Sequence, residues 1–262
     1  MAPSRGQQAL SVHDTQWLDA SPAAGPVVER LARRFPQVRL APAVRIVDLS
    51  HHYEDGMPIF PGLPTPSFKA IAEVEQDGYA MSEYQLVNHI GTHVDAPAHQ
   101  IAGGDTLDEI PLERLVTDAL TIDVSRRKHG PIPMAELEPH FAKVREGDLV
   151  FLFSDNARNW GTERYWTGWS YPDADAARAL IRLGISGVGF DGPSADPVET
   201  TTFELHRVWL GGGRLIIENL ANLDQLPERA PVVVAPMKVR GANGAPARIF
   251  ALLPPDDEGV TR

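Results

Sequence analysis

Short apolar runs, separated by polar stretches rich in proline and glycine, dominate the chain from Val44 onward. The first run, Arg45-Ile46-Val47-Asp48-Leu49, predicts a strand, and a Pro/Gly-rich loop follows it at residues 56–66. A mixed polar and apolar run covers residues 82–90. Further strands are predicted at residues 119–124, 149–153, 185–190, 215–218, 232–238 and 248–253.

A helix is predicted between two of these strands, at residues 172–183. Pro172 lies near its start, its middle is rich in alanine, and Gly184 ends it. A helix followed by a strand indicates an α/β protein, but several other strands follow one another directly, so a plain doubly wound sheet fits poorly. The last two strands are predicted to form a hairpin that turns at Asn243-Gly244, a dipeptide suited to a type I′ turn.

The first 43 residues differ in character from the rest of the chain. They contain one short helical candidate, at residues 27–35, between stretches containing proline, alanine and glycine. We interpret residues 1–43 as an N-terminal arm that packs on the body or on a partner subunit, or is only partly ordered. Residues 44–262 are predicted to form a single domain, since this length can bury a full core.

Composition and charge exclude several classes of protein. The chain is 43% hydrophobic and carries a formal net charge of −11, whereas a nucleic-acid-binding surface needs clustered Lys and Arg. It has no apolar run of about 18 residues and no apolar secretory segment at its start, so we predict a cytoplasmic protein that neither spans nor binds a membrane. It contains no cysteine, so any metal must be bound by imidazole and carboxylate groups.

Candidate chemistry is concentrated in the segment His89-Ile-Gly-Thr-His93-Val-Asp95-Ala-Pro-Ala-His99, which holds three of the nine histidines. All four of its His and Asp residues are odd-numbered, so an extended chain would direct them to one side. Gly91 and Pro97 disfavour a helix. Imidazole and carboxylate together suit zinc, manganese or iron, and an aspartate between histidines can bridge two ions.

One of these four residues is expected to transfer protons, because a catalytic metal keeps one position open. His99 is the natural candidate, since it lies furthest along the segment and follows a rigid proline. A second candidate pair, His206 and Glu218, lies in the distal half of the chain. His206 is predicted on a short helix that ends at the Gly211–Gly213 run, and Glu218 ends an apolar strand, where a carboxylate is costly unless it is paired or metal-bound. Each residue taken alone is weak evidence for a site.

The pattern H-x-G-T-H-x-D-x-P-x-H resembles the signature of the cyclase-like metal hydrolases, a family that includes bacterial kynurenine formamidase and isatin hydrolase. The resemblance extends to Asp48-Leu49-Ser50-His51, to Asp191-Gly-Pro-Ser194-Ala-Asp196-Pro197, and to the closing hairpin from Pro236 to Arg248. It implies a swivelling β/β/α fold and a homo-oligomer, either a dimer or a tetramer.

The resemblance also implies a role for each candidate residue. His89, His93 and Asp95 would bind a first divalent metal, with Asp95 bridging to a second. His206 would bind the second metal, Glu218 would contact one or both, and His99 would be the acid/base residue. One or two ions per chain are expected, zinc or manganese, with iron possible.

The predicted function is therefore hydrolysis of the C–N or C–O bond of a small aryl amide, lactam or lactone by metal-activated water, as in kynurenine formamidase. Within the same class, an isatin-type lactam hydrolase or a lactone hydrolase is an alternative. A cyclase or lyase of secondary metabolism and a non-catalytic metal- or metabolite-binding protein are alternatives from other classes. Phe60, Trp160 and Trp166 are candidate substrate contacts, although these aromatics would equally suit a core or a subunit interface.

Overall fold

The computed structural model describes residues 45–255. The predicted N-terminal arm, residues 1–43, and its helical candidate lie outside the described residues. No helix in the described part combines the length and apolar character needed to cross a membrane.

The described residues form twelve strands and four α-helices joined by short 3₁₀ turns. The strands are β1 (Arg45–Asp48), β2 (Ser67–Ala72), β3 (Met81–Gln85), β4 (His93–Asp95), β5 (Val116–Asp123), β6 (Gly130–Ile132), β7 (Leu149–Phe153), β8 (Ser170–Pro172), β9 (Gly187–Phe190), β10 (Leu215–Glu218), β11 (Arg229–Pro236) and β12 (Gly244–Leu253). The helices are α1 (Val74–Asp77), α2 (Met134–Leu137), α3 (Ala174–Arg182) and α4 (Glu204–Gly211). The 3₁₀ turns are Pro97–His99, Leu107–Glu109, Leu112–Arg114, Glu138–Lys143, Ala157–Asn159, Glu163–Trp166 and Leu223–Gln225.

Eight strands form one mixed sheet in the order β1-β12-β11-β5-β7-β9-β10-β4. The strand β4 pairs with β12 as well as with β10, so the sheet closes on itself as a barrel. The strands β5, β7, β9 and β10 run parallel, and their neighbours in the barrel are antiparallel. The remaining strands form two small sheets, β2-β3 and β6-β8.

Alternating side chains of the parallel strands supply two separate cores. In β7, Leu149 and Phe151 belong to the core inside the barrel, while Val150 and Leu152 belong to a second core on its outer face. Because successive side chains of a strand point to opposite sides, a continuous apolar run such as Leu149–Phe153 is the pattern expected of a strand buried on both faces. The outer core is completed by the helices α3 and α4, which pack against each other.

The helix α3 lies within the predicted helix at residues 172–183 but begins two residues later, because Pro172 ends the strand β8. The carboxylate of Asp173 accepts a hydrogen bond from the Ala176 N–H at 2.8 Å and caps the first turn. Gly184, which has a positive φ angle of 82°, follows its last turn. Ala176, Ala177 and Leu180 are buried in the outer core, so this helix covers part of the outer face of the barrel.

The prediction of a type I′ turn at Asn243-Gly244 is wrong. The hairpin exists, but a seven-residue connection, residues 237–243, joins β11 to β12, and the positive φ angle lies at Gly241. Gly244 is instead the first residue of β12 and pairs with Asp95 of β4. A Cβ atom on Gly244 would lie 2.4 Å from the His89 ring, so glycine is needed there for close packing.

Candidate metal centre

The strands β4 and β10 place three predicted ligands on the outer face of the barrel. Val94 points into the inner core, so His93 and Asp95 on either side of it point outward. Glu218, the last residue of β10, is the register partner of His93. The three side chains therefore converge by strand alternation and register alone, and all three are buried.

The helix α4 supplies His206 from the opposite side of the cluster. The His206 Nδ1–H donates to the Oδ2 atom of Asp196 at 2.6 Å. The same carboxylate accepts the backbone N–H groups of Leu205 and His206 in the first turn of α4, each at 2.9 Å. One aspartate thus holds both the helix and the imidazole, and the Nε2 atom of His206 is left facing the cluster.

His93 is held in the same way by a backbone carbonyl. Its Nδ1–H donates to the Gly91 oxygen at 2.8 Å, and that oxygen also accepts the Asn219 side-chain N–H at 2.7 Å. The buried Tyr165 hydroxyl in turn donates to the Asn219 side-chain oxygen at 2.6 Å. Gly91 has a φ angle of +56° and lies against Tyr53 and Met57, where a Cβ atom would come within 2.9 Å of both. Only glycine fits this turn.

The two carboxylates lie between the two imidazoles, one oxygen towards each. The His93 Nε2 atom is 3.3 Å from Asp95 Oδ1 and 3.4 Å from Glu218 Oε2. The His206 Nε2 atom is 3.3 Å from Glu218 Oε1 and 3.7 Å from Asp95 Oδ2. Asp95 and Glu218 thus each face both histidines, which is the arrangement that a pair of bridging carboxylates requires.

The close packing of imidazoles and carboxylates shifts the pKa values of these residues. Burial opposes protonation of His93, but Asp95 and Glu218 outweigh it and raise the pKa of His93 to about 9. Burial likewise opposes protonation of His206, yet the hydrogen bond to Asp196 and the nearby Glu218 raise its pKa to about 10. Burial alone would raise the pKa of Asp95, but the adjacent histidines hold it well below its usual value.

These residues fit a divalent metal. The Oδ2 atom of Asp95 is buried and has no hydrogen-bond partner among the described residues. A buried, unpaired carboxylate oxygen is costly, and coordination of a cation would satisfy it. Two groups of candidate ligand atoms share Asp95, one with His89 and His99 and the other with His93 and Glu218. Imidazole nitrogen and carboxylate oxygen are donors suited to zinc, manganese or iron.

His89 and His99 also reach the cluster, but not along one extended strand. Only His93–Asp95 is a strand; His89 precedes the Gly91 turn, and His99 ends a 3₁₀ turn. The four residues do lie close together, but the expectation that one extended strand with a period of two directs them to one side is wrong. The His89 Nδ1 atom lies 2.6 Å from Asp95 Oδ1, and the His99 ring lies 3.9 Å from the His89 ring.

His99 faces a cavity of about 230 Å³ that opens onto the cluster. Burial is the main cause that lowers the pKa of His99, so the imidazole is neutral at pH 7. The cavity's apolar wall includes Phe60 and Trp166, whose rings meet edge to face at 6.2 Å. Trp160 does not line this cavity; it stacks on His51 at 4.0 Å, beside a different cavity.

Two side chains that form hydrogen bonds with the histidines were not predicted from the sequence. The sequence includes Asp196 only within the Asp191–Pro197 resemblance. A local signal for its role exists, because it is an aspartate shortly before the helix that carries His206. Asn243, which was assigned to a turn, has its side-chain oxygen 2.9 Å from the His89 Nε2 atom. The sequence offers no local signal for that contact, since 154 residues separate the two.

The fold and the cluster match known proteins. The model of the putative cyclase family matches residues 47–197. The kynurenine formamidase of Salinibacter ruber is 26% identical over 214 residues, which is 80% of this chain and 99% of the relative. The isatin hydrolase of Roseibium aggregatum is 28% identical over 217 residues, covering 73% of this chain and 82% of the relative.

Solved structures agree with the sequence relatives. An isatin hydrolase bound to the product analogue thioisatinate superposes with a TM-score of 0.74 at 24% identity, covering 88% of this chain and 99% of that one. A potential metal-dependent hydrolase with cyclase activity superposes with a TM-score of 0.68 at 29% identity, covering 80% and 98%.

The barrel with helices on its outer face is the fold of these hydrolases, so the predicted fold class is confirmed. The family model matches more than half of the sequence, and the protein therefore belongs to the putative cyclase family. The predicted resemblance and the predicted hydrolase class are confirmed with it.

Proposed function

We propose that this protein is a metal-dependent hydrolase that cleaves the C–N or C–O bond of a small aryl amide, lactam or lactone, in the manner of kynurenine formamidase. The observation that carries the proposal is the pair of buried carboxylates between His93 and His206, at the base of a cavity. The similarity of the chain to a kynurenine formamidase and to an isatin hydrolase supports the same class of reaction.

The proposed centre holds two divalent ions, zinc or manganese, with iron as a further candidate. His89, His93 and Asp95 would hold one ion and His206 the other, with Asp95 and Glu218 shared between them. Support comes from the way in which each carboxylate presents one oxygen to each anchored imidazole. Ions held there would supply Lewis-acid activation of water and of the substrate carbonyl.

The chain's own residues supply the proton transfer and the binding surface. His99 is neutral, faces the cavity and lies beside His89, so its ring can take a proton from the attacking water and then pass it to the leaving nitrogen or oxygen. Phe60 and Trp166 present an apolar wall suited to a flat ring. A volume of about 230 Å³ is below the roughly 300–1,000 Å³ of sites for larger ligands, which favours a small substrate.

An isatin-type ring opening is a second candidate, supported by the charge of the cavity. None of the described residues that line it is Lys or Arg, and its charged side chains are the candidate metal ligands. The described wall offers no Lys or Arg to the α-carboxylate of N-formylkynurenine, whereas a neutral lactam such as isatin carries no such charge. A neutral cyclic substrate therefore fits the described wall of the cavity better.

One experiment tests both candidates. Protein purified without chelator is analysed for metal content, and the same sample is assayed for hydrolysis of N-formylkynurenine and of isatin. About two metals per chain with turnover of either compound supports the proposal and names the substrate type. Two metals without turnover moves the search to other lactams, lactones and aryl amides. No metal, even after reconstitution with zinc or manganese, contradicts the proposal.

We also propose that the protein works as a homo-oligomer, a dimer or a tetramer. The hairpin of β2 and β3 supports this, because a two-stranded hairpin is only marginally stable alone and this one exposes large apolar side chains. Tyr84 is 67% exposed and Val74, in the connection between the strands, is 60% exposed. Light scattering after size-exclusion chromatography measures the mass of the oligomer and tests this proposal.

The cytoplasmic location and the role of residues 1–43 stay predictions.

A further inference from the structure

We propose that Asn243 is a positioning residue that holds His89 as the Nε2–H tautomer, so that Nδ1 is the His89 atom that binds the metal. The inference rests on the proposed metal centre and adds a residue to it. Asn243 ends the connection between β11 and β12, far along the chain from the histidine cluster. It reaches that cluster because Gly244 pairs with Asp95 across β12 and β4.

The hydrogen bonds around Asn243 determine its amide orientation. The Asn88 side-chain nitrogen lies 3.1 Å from the Gly244 carbonyl oxygen, which can only accept, so this atom of Asn88 is the N–H₂ donor. The same nitrogen lies 2.5 Å from the terminal amide atom of Asn243. That Asn243 atom must therefore be the oxygen, Oδ1.

The orientation of Asn243 then determines the tautomer of His89. The Asn243 Oδ1 atom lies 2.9 Å from the His89 Nε2 atom, and an oxygen that accepts requires a nitrogen that donates. Nε2 thus carries a proton, and in the neutral ring Nδ1 has the free lone pair. Nδ1 lies 2.6 Å from Asp95 Oδ1, the carboxylate oxygen that also faces His93.

The three histidines proposed as metal ligands are therefore anchored through different ring nitrogens. His93 and His206 are held through Nδ1, by the Gly91 carbonyl and by Asp196, and present Nε2. His89 is held through Nε2 and presents Nδ1. Gly244 adds a steric restraint, since its backbone lies against the His89 ring with no room for a Cβ atom. Asn243, just before β12, fixes the tautomer of the His89 ring, and Gly244, the first residue of β12, fixes the position of the ring.

Three variants test this role against the wild type. Asn243→Leu removes the acceptor at similar size, and Asn243→Asp keeps an oxygen acceptor. Asn88→Ala keeps the Asn243 amide but removes the donor that orients it, together with the hydrogen bond to the Gly244 carbonyl. Zn²⁺ affinity is measured by calorimetry, and the His89 nitrogens are assigned in the zinc-loaded proteins by long-range ¹H–¹⁵N NMR. Thermal unfolding of each metal-free variant reports whether the fold is kept.

We expect zinc on Nδ1 and a proton on Nε2 of His89 in the wild type. Asn243→Leu should weaken zinc binding about tenfold, the lower end of the effect known for residues that orient ligands, because Asn243 is exposed. Asn243→Asp should restore the affinity, and Asn88→Ala should fall in between. A purely structural role for Asn243 would change the unfolding temperature and leave the NMR assignment unchanged.

Zinc bound through Nε2 of His89, or unchanged affinity in Asn243→Leu, would overturn the inference. If the wild type does not bind zinc at all, the proposed metal centre fails instead. The spectra of the metal-free protein then still decide whether Nε2 donates a proton to Asn243, because that resonance must change in Asn243→Leu and persist in Asn243→Asp.

Discussion

Two histidines that face the same cavity, His206 and His99, are held in opposite ways. Their rings lie 5.9 Å apart. His206 donates a hydrogen bond through Nδ1 to Asp196. Burial lowers the pKa of His206, but its carboxylate neighbours outweigh burial and raise the pKa to about 10. The His99 ring makes no hydrogen bond within residues 45–255, and burial lowers its pKa. An anchored imidazole suits a ligand, and an unanchored neutral one suits proton transfer.

The largest effect is expected from removing the carboxylate between the anchored histidines. Asp95→Asn takes away the charge that both His93 and His206 face, so zinc binding should be lost and kcat should fall by about 10³-fold or more. Metal analysis and hydrolysis assays measure both. The matched control is Asp175→Asn, whose carboxylate is 80% exposed on α3 and which should behave as the wild type. A metal-loaded, active Asp95→Asn protein would show that this aspartate is not a ligand.

Removing the unanchored histidine should separate chemistry from metal binding. His99→Gln is expected to keep the metal and to lower kcat by about 10²- to 10⁴-fold, the usual contribution of a general acid or base. The control is His129→Gln, at an exposed position away from the cavity. Loss of metal in His99→Gln would instead make His99 a ligand, and the contrast with His206 would fail.

Acid should weaken metal binding through the anchored histidines. In the metal-free protein the pKa is raised to about 9 for His93 and about 10 for His206, so both rings are protonated below pH 9. A metal must displace those protons, and the zinc dissociation constant should rise as the pH falls, by up to about 100-fold per unit below pH 9 and up to about tenfold per unit between 9 and 10. Calorimetry in buffers of different ionisation enthalpy counts the protons released. No proton release at pH 8 would contradict this assignment.

Loosening one anchor should have a smaller effect than removing a ligand. Asp196→Asn weakens the partner that orients His206 and the first turn of α4, so zinc affinity should fall by about 10- to 100-fold. Competition with a zinc chelator measures the change. Unaltered affinity would mean that Asp196 serves only the helix.

The smallest effect is expected from replacing Phe60 in the apolar wall of the cavity. Phe60→Ala removes part of the cavity wall and should raise KM about tenfold with little change in kcat, in line with the roughly 1.5 kcal/mol of an aromatic contact. Trp160→Ala is the comparison, because this ring stacks on His51 outside the cavity, and its KM should stay within about threefold. A larger rise in KM for Trp160→Ala than for Phe60→Ala would place the substrate elsewhere.

Sequence patterns predict the secondary structure well where an apolar run with clear end signals forms a single buried strand or helix. The strands Leu149–Phe153 and Leu215–Glu218 match their predicted bounds, and Ala174–Arg182 lies within the predicted helix, because local apolar runs, a proline and a glycine mark them. The turn at Asn243-Gly244 was mispredicted. Its local preference for positive φ angles was overridden by pairing of Gly244 with Asp95 and by packing against His89.

The sequence by itself determined the chemistry of this protein: which residues carry imidazole and carboxylate groups, the absence of thiolate ligands, and the short spacing that keeps His93 and Asp95 on one face of a strand. Only the tertiary structure decided how the distal groups meet them. Closure of the barrel through β4 brings Asn243 to His89, and packing of α4 on the outer face brings His206 to Glu218. Contacts between residues so far apart in the chain depend on strand order and helix packing, which no local pattern records.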